Sequence, residues 1–320
     1  MGRAATRVRA NWRGVVLLIS GTALALAAQV PSTPPPLPDT PLGIVRQGQR
    51  LNSEGKQNEA LALYRQALAK DPNLYQGYLA EGEALDLQGE YGQARADLER
   101  AITLAPTAAQ PQAWRALAIS HAFTCDTAGA QKAESRAFAA QQTARDYFAA
   151  GETADELARI YLECGNFAAA ERWYRVGHDT GLKEPNLSEA RRDLWEFRLE
   201  HALARLAARR GDAALAQQHV ARAAAILAKG DNPGQKRFFP YLTGYVAFYG
   251  GDYAGAIADF KKADLYDPFV LSLLAQAEEK MGDQAAALAD YRAILRLNMH
   301  NPNNAFARPL AERKLEAGRG

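Results

Sequence analysis

The side chains that could do chemistry in this chain are mostly scattered. There is no G-x-S-x-G, no H-E-x-x-H, no phosphate-cradling glycine loop and no C-x-x-C. His121, His178, His201, His219 and His300 are dispersed, none with a second histidine or cysteine at ligand spacing, so no metal and no cofactor is expected. Paired carboxylates such as Glu278 and Glu279 fall where solvated helix faces belong. One stretch differs. Arg198, His201, Arg205 and Arg209 recur at three- and four-residue steps, which on a helix makes a basic stripe, while Leu199, Leu203 and Leu206 take another face. Tyr241, Tyr245, Phe248 and Tyr249 make an aromatic stripe by the same spacing. Guanidinium forks hold carboxylates through parallel N–H bonds, and tyrosine offers a flat apolar face ending in a hydroxyl. The chemistry expected is recognition of an anion, without catalysis. The structural alternative is that the arginines pair with Glu200 or Glu163 and the aromatic rings belong to the core.

These residues need elements to hold them, and the stretch from Lys236 to Pro268 shows what kind. Pro240 suits a first helical position, Gly250 and Gly251 break that helix, and Asp252 can cap a second one running to about Tyr266. Gly244 and Ala256 are small where the two helices approach, and Phe260 and Ala263 face the same seam. The pattern recurs. Gly48, Gly55, Ala60, Tyr64, Ala67 and Pro72 are followed 34 residues later by Gly82, Gly89, Ala94, Leu98, Ala101 and Pro106. Small and large residues, a turn glycine and a closing proline at that period resemble the tetratricopeptide repeat, a helix-turn-helix unit.

The resemblance implies an all-α fold of tetratricopeptide-type pairs stacked into a right-handed superhelix, about seven pairs and a C-terminal capping helix. Turns are expected at residues 55, 89, 125, 165, 211, 251 and 282. Residues 41–108 read as two regular units, 109–235 as three divergent, longer ones, 236–299 as two more, and 300–320 as a capping segment in which Ala305 to Leu315 cover the last apolar face. In the fourth unit Thr153 and Glu156 have capping-box spacing, and in the fifth Ser188 caps a long helix reaching Arg210. Cys125 stands where a turn glycine would, and Cys164 sits at the next pair's turn. Stacking brings these loops together, so a Cys125–Cys164 disulfide and two separate buried thiols both fit. The runs LWEFRLEHALARLAARRG, FFPYLTGYVAFY and HNPNNAFARP are also similar to segments of uncharacterised exported bacterial tetratricopeptide proteins, which implies export and carries no activity.

In the family resembled, the first helix of each pair lines the concave face. That places Arg198, His201, Arg205 and Arg209 beside Tyr241, Tyr245, Phe248 and Tyr249 in one groove, suited to an acidic or C-terminal peptide segment of a protein partner. His201 is expected to add a pH term, binding strengthening as it protonates. The second reading is a small-ligand or glycan binding protein, or an unrecognised hydrolase, of the cell envelope, with a pocket around His201, Tyr241, Tyr245 and His300. An open groove favours the first reading; a closed pocket with histidine and carboxylate converging favours the second.

Charge and the N-terminus bound the setting. The formal charge of +2 arises in the leader, since Arg3, Arg7, Arg9 and Arg13 precede every acidic residue and the rest carries 34 basic against 36 acidic side chains. A nucleic-acid binder would carry a large basic excess, so none is expected as partner. The uncharged apolar run Val15 to Ala28 ends in Ala25-Leu26-Ala27, so residues 1–28 read as a signal peptide cleaved near Ala27 or Ala28, leaving no membrane span and a periplasmic or secreted chain. Residues 29–40, rich in proline from Pro31 to Pro38, read as a stiff spacer.

Overall fold

The computed structural model describes residues 39–318. The expected signal peptide and nearly all of the spacer lie outside them. The described residues form fifteen α-helices and no strand. The helices pair along the chain: α1 (Pro41–Ser53) with α2 (Gln57–Lys70), α3 (Tyr75–Leu87) with α4 (Tyr91–Leu104), and α5 (Gln110–Phe123) with α6 (Thr127–Thr143). Then come α7 (Tyr147–Glu163) with α8 (Phe167–Gly181), α9 (Glu189–Arg209) with α10 (Ala213–Ala228), α11 (Phe239–Tyr249) with α12 (Tyr253–Phe260), and α13 (Pro268–Lys280) with α14 (Gln284–Ile294). A last helix, α15 (Pro302–Ala317), follows the seventh pair.

In the first, second and sixth pairs the two helices close on a glycine of the first helix. A Cβ added at Gly244 would come within 2.8 Å of the Phe260 ring, and one at Gly82 within 2.8 Å of Leu98. Gly48 meets Tyr64 in the same way. Between the helices the backbone turns through the left-handed region, at Gly55, Gly89, Gly165, Gly211, Gly251 and Gly282, and an aspartate or asparagine caps the second helix in pairs three to seven. Cys125 holds the same conformation, φ 51°, without glycine's freedom. It is joined to Cys164 with the Cα atoms 5.6 Å apart, closer than packed helix axes because the link runs from turn to turn.

Two helix boundaries differ from the sequence reading. Thr153 and Glu156 do not cap α7, which starts six residues before Thr153 because Asp146 accepts from the Ala149 N–H at 3.1 Å. Thr153 instead donates to Gln141, and Glu156 pairs with Arg115. Helix α12 stops at Phe260 and not near Tyr266, because Asp264 accepts from the Tyr266 N–H and Asp267 and Pro268 start α13.

Helix α15 does more than cover an end. One side packs on α13 and α14, where Ala307 and Ala311 meet Leu271, Ala275 and Tyr291. The other side returns to the third and fourth pairs, where Ala305 joins Ile119, Phe123 and Ile160. The strap leading into it, Asn298 to Asn303, is pinned along its length. Gln57 donates to Asn298 at 2.6 Å, His300 Nε2 lies 2.8 Å from Asp86, and Asn303 donates to Asp267 at 2.6 Å.

Candidate functional site

A cavity of about 750 Å³ lies on the side where the first helices of the third to sixth pairs face the start of α15. Its walls come from α5, α7, α9 and α11, from the 3₁₀ turn Pro233–Phe238, and from Asn301 to Asn303 of the strap. The strap therefore narrows what the sequence reading made an open groove.

The two stripes divide at this cavity. Arg198, His201, Arg205 and Tyr241 line it. Arg209, Tyr245, Phe248 and Tyr249 do not. Tyr245 is fully buried in the core shared by α9, α11 and α13, and Phe248 and Tyr249 pack against that core. Arg209 pairs with Glu163 at 2.9 Å and lies over the Tyr249 ring at 4.9 Å. The physical reason is that the last turn of α9 runs into the seam with α7 and α11, where Glu163 supplies the counter-charge. The basic and aromatic residues also interleave instead of forming facing walls, since the Arg205 guanidinium stands 5.6 Å from the Tyr174 ring and 5.9 Å from each of the Tyr241 and Tyr245 rings. The pocket residues of the second reading separate too: His201 and Tyr241 line the cavity, whereas Tyr245 is core and His300 belongs to the strap. His300 pairs with the carboxylate of Asp86 at 2.8 Å, a clasp outside the lining.

Arg205 is 7% exposed and donates to the Tyr174 hydroxyl at 3.1 Å, and among the described residues no carboxylate lies within ion-pairing distance of it. Burial works against its charge, but the oxygens of Tyr174, Tyr241 and Tyr245 hold its pKa above the ordinary arginine value. Among the described residues its Nε–H has no partner, nor has the hydroxyl of Tyr241, which is 9% exposed. Arg159 of α7 lines the same cavity, lies 4.9 Å from the Phe269 ring, and leaves two guanidinium nitrogens unpartnered. Sequence reasoning missed it, because a single arginine on α7 forms no stripe.

The other charges in the lining are committed, Asp155 and the Arg159 nitrogens excepted. Arg115 holds Glu156 at 2.6 Å and Arg198 holds Glu152 at 2.8 Å. Asp267 accepts from the Phe269 N–H and from Asn303. Asp155 makes no ion pair; burial pushes its carboxyl up to about 7 against the pull of Arg198 and Arg205. His201 moves the other way: burial, then the Arg205 charge, holds it well below the ordinary histidine value. That direction runs against the pH role expected of it. One cavity thus brings together a buried guanidinium, a second one with unpartnered nitrogens and a carboxyl that titrates near neutrality. Among the described residues no group of three His, Cys, Asp or Glu side chains is placed to hold a metal.

Residues 75–107, essentially α3 and α4, match the family model described as tetratricopeptide repeat. No curated protein matches the chain. Among solved structures, the apo form of RapI is similar with a TM-score of 0.54 at 11% identity, over 87% of this chain and 99% of that one. A tetratricopeptide repeat protein from Parabacteroides merdae is similar with a TM-score of 0.50 at 13% identity, over 88% and 99%. A Rap protein complexed with competence and sporulation factor gives 0.51 at 12% identity, over 87% and 76%. The chain thus carries a tetratricopeptide repeat at residues 75–107 and has the all-helical repeat fold of tetratricopeptide repeat proteins.

Proposed function

We propose that this protein is an exported interaction scaffold, with no chemistry of its own, that receives an acidic segment of a partner protein in the cavity on its concave side. The observation that carries the reading is Arg205, a buried cation with an unpartnered N–H, lining a cavity beside Arg159 and Arg198. Burying a charge is costly, and a fold that leaves one without a carboxylate while leaving room beside it is built for a carboxylate from elsewhere. A Rap protein of similar fold is complexed with competence and sporulation factor, so an array of this kind accommodates a bound factor. The Val15 to Ala28 run supports export.

The reading is tested by titrating the chain, lacking residues 1–28, with an acidic peptide and its Gln/Asn counterpart between about 50 and 300 mM salt. The acidic peptide should bind and weaken as salt rises, because charges at the cavity mouth are screened over about 8 Å at physiological ionic strength. Equal binding of the two peptides, or binding indifferent to salt, contradicts it.

A further inference from the structure

The cavity floor is more selective than a general acidic surface. Arg159 and Arg205 present unpartnered N–H groups, and the nine-tenths buried Tyr241 presents an unpartnered hydroxyl. Beside them stand aromatic surfaces. The Phe197, His201 and Tyr241 rings follow one another at centroid distances of 5.7 and 5.6 Å, and Phe238, at 37% one of the more exposed large apolar side chains, lines the same space. A cavity of this size is typical of a site for a compact ligand, and the pinned strap forms one wall, which leaves room for the end of a molecule better than for a chain passing through.

A second feature bears on how an anion enters. Asp155 lies one helical turn before Arg159 and is the carboxylate of the lining that is neither ion-paired nor used as a helix cap. The charged groups acting on it are Arg198 and Arg205 from α9, Glu152 from its own helix and His178 from α8. An incoming carboxylate at Arg205 competes with Asp155 for the same positive field, and two carboxylates sharing that field favour a proton on one of them.

Building on the anion site of the proposed function, we infer that the floor takes a single carboxylate attached to a flat apolar group, and that one proton enters with it on Asp155. The carboxylate sits on the Arg159 and Arg205 N–H groups, the flat group lies against Phe238 and Tyr241, and protonated Asp155 stands by as a neutral neighbour. This chemistry has two sources, a free aromatic acid or the last residue of a peptide ending in phenylalanine.

Isothermal titration of the chain lacking residues 1–28 with phenylacetate tests this, run at pH 6 and pH 8 and in two buffers of different ionisation enthalpy. Because Asp155 titrates near 7, binding should be about tenfold weaker at pH 8, with close to one proton taken up per ligand there. Asp155→Asn should bind as tightly at pH 8 as the parent does at pH 6, and Arg159→Gln should lose binding at both while keeping the parent's thermal unfolding. A pentapeptide ending in phenylalanine, compared with its C-terminal amide, separates the sources: acid-selective binding tighter than phenylacetate assigns the site to a peptide end, and phenylacetate binding alone assigns it to a free acid. If phenylacetate and the peptide acid both fail, or if Asp155→Asn keeps the parent's pH dependence, the inference is overturned. Should they fail while the acidic peptide still binds in a salt-dependent way, the scaffold reading stands without this floor site.

Discussion

Arg205 is the residue at which a binding role and a structural role make different predictions. On a solvated stripe, its replacement by glutamate would change binding and leave the fold untouched. At 7% exposure the same change buries a carboxylate near Glu163 and Asp155, and should cost about 3–5 kcal/mol of stability. Arg205→Met discriminates better. It removes the charge, keeps most of the volume, and should hold stability within about 1 kcal/mol, because a buried cation without a carboxylate contributes little net stability. Denaturant unfolding and acidic-peptide binding, measured side by side, should show stability kept and binding lost. A stability loss above about 3 kcal/mol with binding retained would mark Arg205 as a structural residue. The spacing of Arg198, His201 and Arg205 was legible in the sequence because helical periodicity is local. Where the stripe stopped was not, since that depends on Glu163 closing the seam from a different helix, 46 residues earlier. Arg159 was invisible for the same reason: its neighbours Phe269 and Tyr241 come from α13 and α11.

At the scale of the helix pair, the period fixes which residues meet. Gly48, Gly82 and Gly244 face Tyr64, Leu98 and Phe260 because each pair repeats one seam, and that repetition made the fold readable. Gly244→Leu should push Phe260 out of a fully buried position and cost roughly 1–3 kcal/mol or more, visible as lower thermal unfolding with loss of helicity. Unchanged unfolding would contradict the seam. The errors in reading came at ends of elements, where one side chain decides the boundary: Asp146 moves the start of α7 earlier, and Asp264 with Pro268 ends α12 sooner. Spacing alone left Cys125 and Cys164 undecided because axis separation describes packed helices, whereas these residues lie in turns.

Across the described residues, the feature least legible in the sequence is the return of the chain end. The segment from residue 300 on, expected only to cap the last pair, also joins the second and third, through His300 with Asp86 and Ala305 with Ile119, and Asn298 just before it reaches Gln57 of the first. The clasp is built from titratable groups. Burial lowers the His300 pKa, but its bond to Asp86 and the charges of Glu83 and Asp86 outweigh burial and the weaker opposition of the Arg115 charge and raise it above the ordinary value. A raised histidine pKa stabilises fully below the unfolded value near 6.5 and is lost as pH rises through the folded value. Amide protection of Asn298 to Asn304 should therefore fall as pH rises above the ordinary histidine value, after correction for intrinsic exchange, and His300→Asn should flatten that change. Protection that stays constant, or an identical fall in the variant, would assign the strap's hold to Asn298, Asn303 and α15 packing alone.

The measurement that bears most directly on partner recognition is site-specific photo-cross-linking in the producing cell. A cross-linking residue at Phe238 samples the cavity, and one at Leu215 samples the outer helix α10; both native side chains are about 37% exposed, so accessibility is matched. The expected result is a discrete cross-linked protein from position 238, abolished by Arg159→Gln and absent from position 215. A product from position 215 with none from 238, or one at 238 indifferent to Arg159→Gln, would contradict recognition of an anionic partner by the concave cavity.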